Sequence, residues 1–216
     1  MSVSATVAYK SEHKNEHRED ILRAAIAEFG RAGYKAASTN EIVKNAKVSK
    51  GLLFHHFTNK EKLYTACQLH VMEQYGKFMA NNFNSTNPDL FERIMEGLRI
   101  KMEFGRQNPA FLALVNRAGN AEDGEHFLRK PEIESFIAES MQAYAATFFE
   151  GVDVSNFREG IGLEKVMDYT RLALEASWTR FSGRYNDDIA ALLGDIDSYF
   201  AEAEEILFLL KNGAYN

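Results

Sequence analysis

The chain has 216 residues, of which 45% are hydrophobic and 26% charged, and its formal net charge is −6. This composition is typical of a globular protein and excludes a collagen-like or wholly disordered chain. A single cysteine excludes an internal disulfide framework, and no apolar run approaches the roughly 20 residues of a membrane span. With no secretory signal visible at its start, we expect a cytoplasmic protein without a membrane partner.

The charge is distributed unevenly along the chain. Residues 1–62 hold eleven Lys or Arg against seven Asp or Glu, whereas residues 63–216 hold fourteen against twenty-four. A basic segment joined to an acidic one is typical of a protein whose basic part meets a polyanion. Solvated surfaces alone also produce such an asymmetry, so the pattern needs a second observation.

The sequence predicts helices nearly throughout. Residues 1–10 carry no apolar period, and we expect a flexible tail there. From residue 11 to about residue 32, apolar residues recur at spacings of three and four, as on one face of a helix. Gly33 follows as a helix stop signal.

Two short helices are predicted next. The stretch Ser38-Thr39-Asn40-Glu41 has the pattern of a capping box, in which the Glu41 carboxylate reaches back to the first residue, and it predicts a helix over residues 41–46. Ser49 is an N-cap residue for a helix over residues 50–56. Helices this short do not persist alone in water, so both must dock on a neighbour.

Longer helices fill the rest of the chain. Asn59 is the predicted N-cap of a helix over residues 60–82. The remaining long helices are predicted over residues 87–106, where Asn87-Pro88-Asp89 begins the helix, and over 110–118, 131–150, 163–181 and 195–211. Residues 119–129 and 151–162 are polar and contain glycine, so we expect loops there, and residues 182–194 are expected to be partly helical.

A short helix, a three-residue turn and a second short helix have the dimensions of a helix-turn-helix. In that motif the second helix enters the DNA major groove and the first crosses the backbone. Lys44, Lys47 and Lys60 surround the second helix, as contacts to phosphates require. The residues expected to form a small core are Ile42, Val43, Ala46, Val48, Leu53 and Phe57.

A dense pattern of residue types covers about residues 14–66. Its parts are Arg18-x-x-Ile21-Leu22-x-Ala24-Ala25, Phe29-x-x-x-Gly33, Ser38-Thr39-x-x-Ile42 and Val48-Ser49-Lys50-Gly51-Leu52-Leu53-Phe54-His55-His56-Phe57-x-x-Lys60-Glu61-x-Leu63. This pattern resembles the TetR family of bacterial one-component repressors. The resemblance implies an all-α protein of about nine helices, with a helix-turn-helix DNA-binding domain over residues 11–58 and a helical effector-binding and dimerisation domain over residues 59–216.

The resemblance also implies roles for individual residues. Contacts to DNA are expected from Thr39, Asn40, Ser49, Lys50, Gly51, Leu52, Phe54, His55, His56 and Lys60. The expected lining of an effector pocket is Phe104, Phe111, Met141, Tyr144, Phe148, Tyr169 and Trp178, although each of these aromatic residues is also a candidate for the core. The expected dimer interface contains Leu174, Trp178, Ile196, Tyr199, Phe200, Ala203, Leu207 and Leu210.

Residue 47 departs from the family pattern. The family commonly has glycine in the turn before Val48 and Ser49, and this chain has Lys47. If the turn requires a positive φ there, a lysine costs on the order of 1 kcal/mol relative to glycine.

The predicted function is that of a homodimeric, ligand-responsive repressor that leaves a near-palindromic operator in double-stranded DNA when a small hydrophobic effector binds. An activator of the same fold and a helical small-molecule-binding or interaction protein without DNA binding are the alternatives. An enzyme is not expected, because no acid–base cluster is apparent. We expect no cofactor or metal, since His13 and His17 lack a third ligand.

Overall fold

The computed structural model describes residues 3–120 and 130–215, and the side chains of residues 1–15, 118–120, 141 and 143 lie outside that description. The described chain is all-α, as predicted, and contains no strand. Its helices are α1 (Val3–Ala36), α2 (Thr39–Ala46), α3 (Lys50–Phe57), α4 (Lys60–Asn82), α5 (Leu90–Gln107), α6 (Pro109–Asn120), α7 (Pro131–Phe149), α8 (Leu163–Ser182), α9 (Ile189–Gly194) and α10 (Ile196–Ala214), with a 3-10 turn at Gly183–Tyr185. None of them is long and apolar enough to cross a membrane.

Two of these helices differ from the expected boundaries. The first helix begins at Val3, within the segment expected to be a flexible tail, since neither glycine nor proline occurs before Gly30 to end it. At its other end Gly33 has a φ of 74° and interrupts the helix, where the stop signal was expected. The helix α6 includes Gly119 and Asn120, and the rest of the loop predicted over residues 119–129 lies outside the described residues.

The chain folds into two compact units. The N-terminal unit comprises Met1–Gln74 with Ala110–Phe136, and the C-terminal unit comprises Tyr75–Pro109 with Ile137–Asn216. Helix α6 and the first part of α4 add buried residues to the N-terminal core, beyond the segment expected to be the DNA-binding domain. The functional roles assigned to the two segments stay predictions.

The core of the N-terminal unit joins five helices, α1 to α4 and α6. Of the residues expected in the helix-turn-helix core, Ile42, Ala46, Leu53 and Phe57 are buried, and Val43 and Val48 pack against them. The first helix contributes a fully buried stripe that ends at Phe29. Since burial of this kind stabilises each large side chain by about 1.5–3 kcal/mol, the two short helices are held by tertiary packing.

Helix α6 packs against α1 at Gly30. A Cβ atom at position 30 would lie 3.0 Å from the Cβ of Ala113 and 3.1 Å from the carbonyl oxygen of Ala110, so only glycine allows this approach. Beside it the Arg117 guanidinium donates to the carbonyl oxygens of Gly30 (2.7 Å) and Arg31 (3.0 Å). These bonds join α6 to α1 just before the kink at Gly33.

In the C-terminal unit α8 packs against α10. The contact buries one face of each helix, with Leu174 on α8 and Ala203 and Leu207 on α10. On α5, Arg93 is only 1% exposed, and its guanidinium donates to the carbonyl oxygens of Phe148 (2.7 Å) and Asn87. A buried guanidinium thus holds the C-terminal end of α7 and the segment before α5.

Candidate nucleic-acid interface

The turn between α2 and α3 is built by caps at both sides. The Ser49 hydroxyl accepts a hydrogen bond from the Leu52 N–H (3.1 Å) and begins α3. Lys47 ends α2 in the left-handed region, with φ 55° and ψ 38°. The sequence therefore places a lysine at the positive φ that the turn requires, at a cost of about 1 kcal/mol.

At the start of α2, one of the two hydrogen bonds of the predicted capping box is present and the other has a different acceptor. The Ser38 hydroxyl accepts from the Glu41 N–H (3.4 Å), as predicted. The Ser38 N–H, however, donates to the carboxylate of Glu28 on α1 (2.9 Å), whereas Glu41 pairs with Lys44 at 3.8 Å. Glu28 is buried and also accepts two bonds from Arg31 (2.8 and 3.1 Å), so α1 supplies the second cap and orients α2.

The pKa of Glu28 reflects these contacts. Burial raises the pKa of its carboxyl. The Ser38 N–H and the Arg31 guanidinium together lower the pKa by more than burial raises it, so the pKa lies below the ordinary value. The carboxylate is therefore charged at neutral pH and serves as an acceptor for both donors.

The structure gives the exposure of the ten residues expected to contact DNA. None of them is buried. Asn40, Ser49, Lys50, Gly51 and His55 are exposed, and Thr39, Leu52, Phe54, His56 and Lys60 are half-buried. Because Leu53 and Phe57 of α3 point into the core, the opposite edge of this helix is available to a ligand.

Lys50 is the first residue of α3 and lies next to α2. Its ammonium donates to the side-chain oxygen of Asn40 (3.1 Å), so one cation and one amide from two helices form a single polar group. Beside them Gly51 meets little of its own chain, since a Cβ there would have only the Ser49 hydroxyl within 4 Å, at 3.9 Å. The fold therefore does not require glycine at position 51.

Lys60 and Phe54 also contact parts of the N-terminal unit outside the helix-turn-helix edge. The Lys60 ammonium donates to the Lys35 carbonyl oxygen (3.1 Å) and lies 5.1 Å from the centroid of the Tyr34 ring, and burial lowers its pKa. Phe54 packs against the N-terminal core. Lys60 thus links the end of α1 to α4, a role the sequence pattern did not predict.

The residues expected to line an effector pocket belong to both units. Phe104, Tyr144 and Phe148 lie in the C-terminal unit among other aromatic rings. Phe111 belongs to the N-terminal unit, where its ring contacts His70, and the side chain of Met141 lies outside the described residues. Tyr169 is 57% exposed, which removes it from a closed lining.

The residues expected at a dimer interface differ in their exposure within this chain. Five of them are buried inside the chain itself, and these are Leu174, Ile196, Tyr199, Ala203 and Leu207. Trp178, Phe200 and Leu210 are half-buried, and Trp178 packs on Tyr199. The apolar side chains left exposed on these helices are Tyr169 and Leu172 of α8 and Phe208 and Leu209 of α10. Sequence reasoning did not single out Leu172, Phe208 and Leu209, and named Tyr169 only as a pocket candidate.

Metal binding finds no support in the part of the chain that the structure describes. No three His, Cys, Asp or Glu side chains there lie close enough to share an ion. The side chain of His13 is outside the described residues, so the pair with His17 is not placed.

Comparison with known proteins agrees with this geometry. Residues 21–67 match the model of the family described as "Bacterial regulatory proteins, tetR family". The Transposon Tn10 TetC protein of Escherichia coli is 31% identical over 83 residues, which are 35% of this chain and 42% of TetC. The HTH-type transcriptional repressor NicS of Pseudomonas putida is 19% identical over 153 residues, 70% of this chain and 71% of NicS. The matched stretch thus spans less than half the length of TetC.

The fold is also found among solved structures. The transcriptional regulator FadR from Bacillus subtilis, in complex with stearoyl-CoA, has a TM-score of 0.62 to this chain at 17% identity. The alignment covers 89% of this chain and 97% of that one. The likeness extends over both units, so the fold that they share is not confined to the helix-turn-helix.

Proposed function

The chain belongs to the TetR family of bacterial regulatory proteins, and from this premise we propose that it is a homodimeric repressor released from a near-palindromic operator by a small hydrophobic effector. The observation that carries the proposal is the exposed edge of α3, with Lys50, Gly51 and His55 on a helix whose other side is buried. That edge has the dimensions and chemistry of a major-groove reader.

Each group on this edge has a role in the proposed complex. Lys50 reaches a guanine edge or a phosphate, with the Asn40 amide beside it as a second polar contact. The N-terminal N–H groups of α3 face phosphate oxygens, which a helix N-terminus favours. Gly51 lets the helix backbone approach the DNA closely, and His55 adds a polar contact one turn further along.

Dimerisation is proposed through α8 and α10. Their exposed apolar side chains, Tyr169, Leu172, Phe208 and Leu209, cover a helix pair that would form a four-helix bundle with the same face of a second copy. Two recognition helices about 34–36 Å apart would then read two half-sites, which is why the operator should be a near-palindrome.

Release by an effector is proposed as a shift between two dimer conformations. A ligand that binds the C-terminal unit better in the conformation with the wrong half-site separation lowers the affinity for DNA, and a coupling of about 1–3 kcal/mol is typical. The structure of FadR with stearoyl-CoA supports ligand binding in this fold, and the similarity to the transcriptional repressor NicS supports repression.

Replacing Lys50 with alanine tests the DNA contact. We expect the affinity for a duplex selected from random DNA to fall by about 1–3 kcal/mol and the salt dependence of binding to become shallower by about one counterion. Fluorescence anisotropy at two salt concentrations measures both. Lys165→Ala removes an equal charge from the exposed surface of α8 and serves as the control. Equal affinity of Lys50→Ala and wild type would contradict the proposal, and absence of any duplex binding would favour an interaction protein.

Replacing Gly51 with alanine separates folding from DNA binding. The position is open, so alanine should raise the free energy of unfolding by about 0.5 kcal/mol, because glycine is the poorer helix former. The same methyl group would hold the backbone away from DNA and weaken duplex binding at least about tenfold, or about 1.4 kcal/mol. Thermal unfolding and anisotropy measure the two effects. A variant that is more stable and binds as tightly as wild type would show that α3 does not approach the groove this closely.

A further inference from the structure

The C-terminal unit contains two neighbouring groups of aromatic rings that are not all buried. In the first, the rings of Tyr75 and Phe78 lie 5.5 and 5.3 Å from that of Phe104. In the second, Phe83, Tyr144 and Phe148 have centroid separations of 5.2–5.8 Å. Tyr75, Phe78 and Tyr144 are only half-buried, so these rings keep surface available to a ligand.

Three polar groups lie at these rings without partners. Within the described part of the chain, the hydroxyls of Tyr75 and Tyr144 have no hydrogen-bond partner, and the half-buried carboxylate of Glu96 has no cation or donor. Tyr144 reaches α5 at this point, since a Cβ on Gly97 would lie 3.4 Å from its hydroxyl oxygen. Glycine next to Glu96 therefore leaves room for the tyrosine hydroxyl.

The two tyrosine hydroxyls and Glu96 differ in the charge they bring to the site. Burial raises the pKa of Tyr75 to about 12, and burial, Tyr75 and Glu96 together raise the pKa of Tyr144 still further. Both hydroxyls are therefore neutral near pH 7, and the acidic side chain near the rings is Glu96. The whole C-terminal unit has the same sign, with eighteen Asp or Glu against eleven Lys or Arg, a net charge of −7.

A carboxylate that lies near aromatic rings offers a counter-charge to a cation that binds there. Aromatic faces attract cations, and the attraction grows when water is excluded. We propose that Tyr75, Phe104, Tyr144, Phe148 and Glu96 bind a lipophilic organic cation, whose charge pairs with Glu96 while its apolar groups contact the rings. The proposal rests on the proposed function, since it names the class of effector. It disfavours acids and acyl chains that carry a carboxylate, because Glu96 repels them.

Two probes of the same shape and opposite charge test this. Tetraphenylphosphonium and tetraphenylborate are titrated by calorimetry into the full-length protein, its Glu96→Gln variant and its Glu103→Gln variant. Glu103 lies on the same helix, is exposed and is bonded only to Gln107, so it controls for the change in net charge. We expect the phosphonium to bind wild type and Glu103→Gln equally, and Glu96→Gln at least about tenfold more weakly, with the borate at least about tenfold weaker than the phosphonium on wild type.

Results that contradict the cation site can be distinguished from results that contradict the proposed function. Borate binding as tight as phosphonium binding, no phosphonium binding, or a Glu96→Gln affinity equal to wild type would each overturn the cation site. Thermal unfolding of Glu96→Gln shows that the variant is folded. Duplex binding by the wild-type protein is measured separately, so loss of DNA binding with an intact cation site would overturn only the proposed function.

Discussion

Replacing Arg93 with methionine should destabilise the C-terminal unit by roughly 2–4 kcal/mol. The guanidinium is 1% exposed and donates to the carbonyl oxygens of Phe148 and Asn87. Methionine fills most of the same volume, so the loss comes from two buried acceptors left without donors, each worth about 1–3 kcal/mol. The Phe148 carbonyl also lies in the last turn of α7, where the helix dipole favours a cation.

The single tryptophan provides the measurement for Arg93. Trp178 lies in the C-terminal unit, and its fluorescence during urea unfolding reports on this unit. Arg99→Met is the matched control, because Arg99 is an exposed residue of the same helix that pairs with Glu204 at 2.7 Å. Such surface pairs contribute about 0–1 kcal/mol. Equal unfolding midpoints for the two variants would show that Arg93 does not hold these segments together.

Replacing Glu28 with alanine should destabilise the N-terminal unit by about 2–3 kcal/mol. The change removes the acceptor of the Ser38 N–H and the partner of Arg31, and hydrogen bonds to charged groups each contribute about 1.5–3 kcal/mol. Glu28→Gln retains an oxygen for Ser38 and should lose less. Glu41→Gln is the control, since Glu41 is exposed and its pairing with Lys44 is a surface contact. Amide hydrogen exchange in α2 measures the effect locally, and protection equal to that of the control would contradict the assigned role.

The contribution of Glu28 depends on pH with a definite sign. Because its pKa is lowered in the folded protein, its stabilising effect is present above the pKa of the unfolded chain, about 4.3, and is lost as the pH falls through the folded value. The difference in unfolding free energy between wild type and Glu28→Ala should therefore be constant near neutral pH and shrink below about pH 4. A constant difference down to pH 3 would contradict the ionic role of Glu28.

The helix-turn-helix could be predicted because its signals are local. Ser49 caps its own helix, the inward-facing residues recur at helical spacing, and the exposed edge of α3 follows from that periodicity. The second cap of α2 could not be predicted in this way. Glu28 is ten residues from Ser38, and only the packing of α1 on α2 brings the carboxylate to that N–H.

The faces of α8 and α10 could not be assigned from the sequence for a different reason. Both helices carry apolar residues on more than one side, and periodicity does not say which side meets the chain's own core. Burial of Tyr199 and Leu207 against exposure of Phe208 and Leu209 settles that question only once the two helices are packed. The proposed cation site could not be predicted either, because Tyr75, Glu96 and Tyr144 come from three separate helices and are brought together only by packing.

The contact of α6 with Gly30 affects how this protein can be divided. Leu114 and Arg117 of α6 complete the packing around α1. A fragment that stops at residue 74 would therefore expose the α1 surface that α6 covers. It would also remove the guanidinium that donates to the Gly30 and Arg31 carbonyls. A separately expressed N-terminal unit therefore needs two stretches of chain rather than one. Hybrid regulators made by exchanging N-terminal units should include residues 109–120 together with residues 1–74.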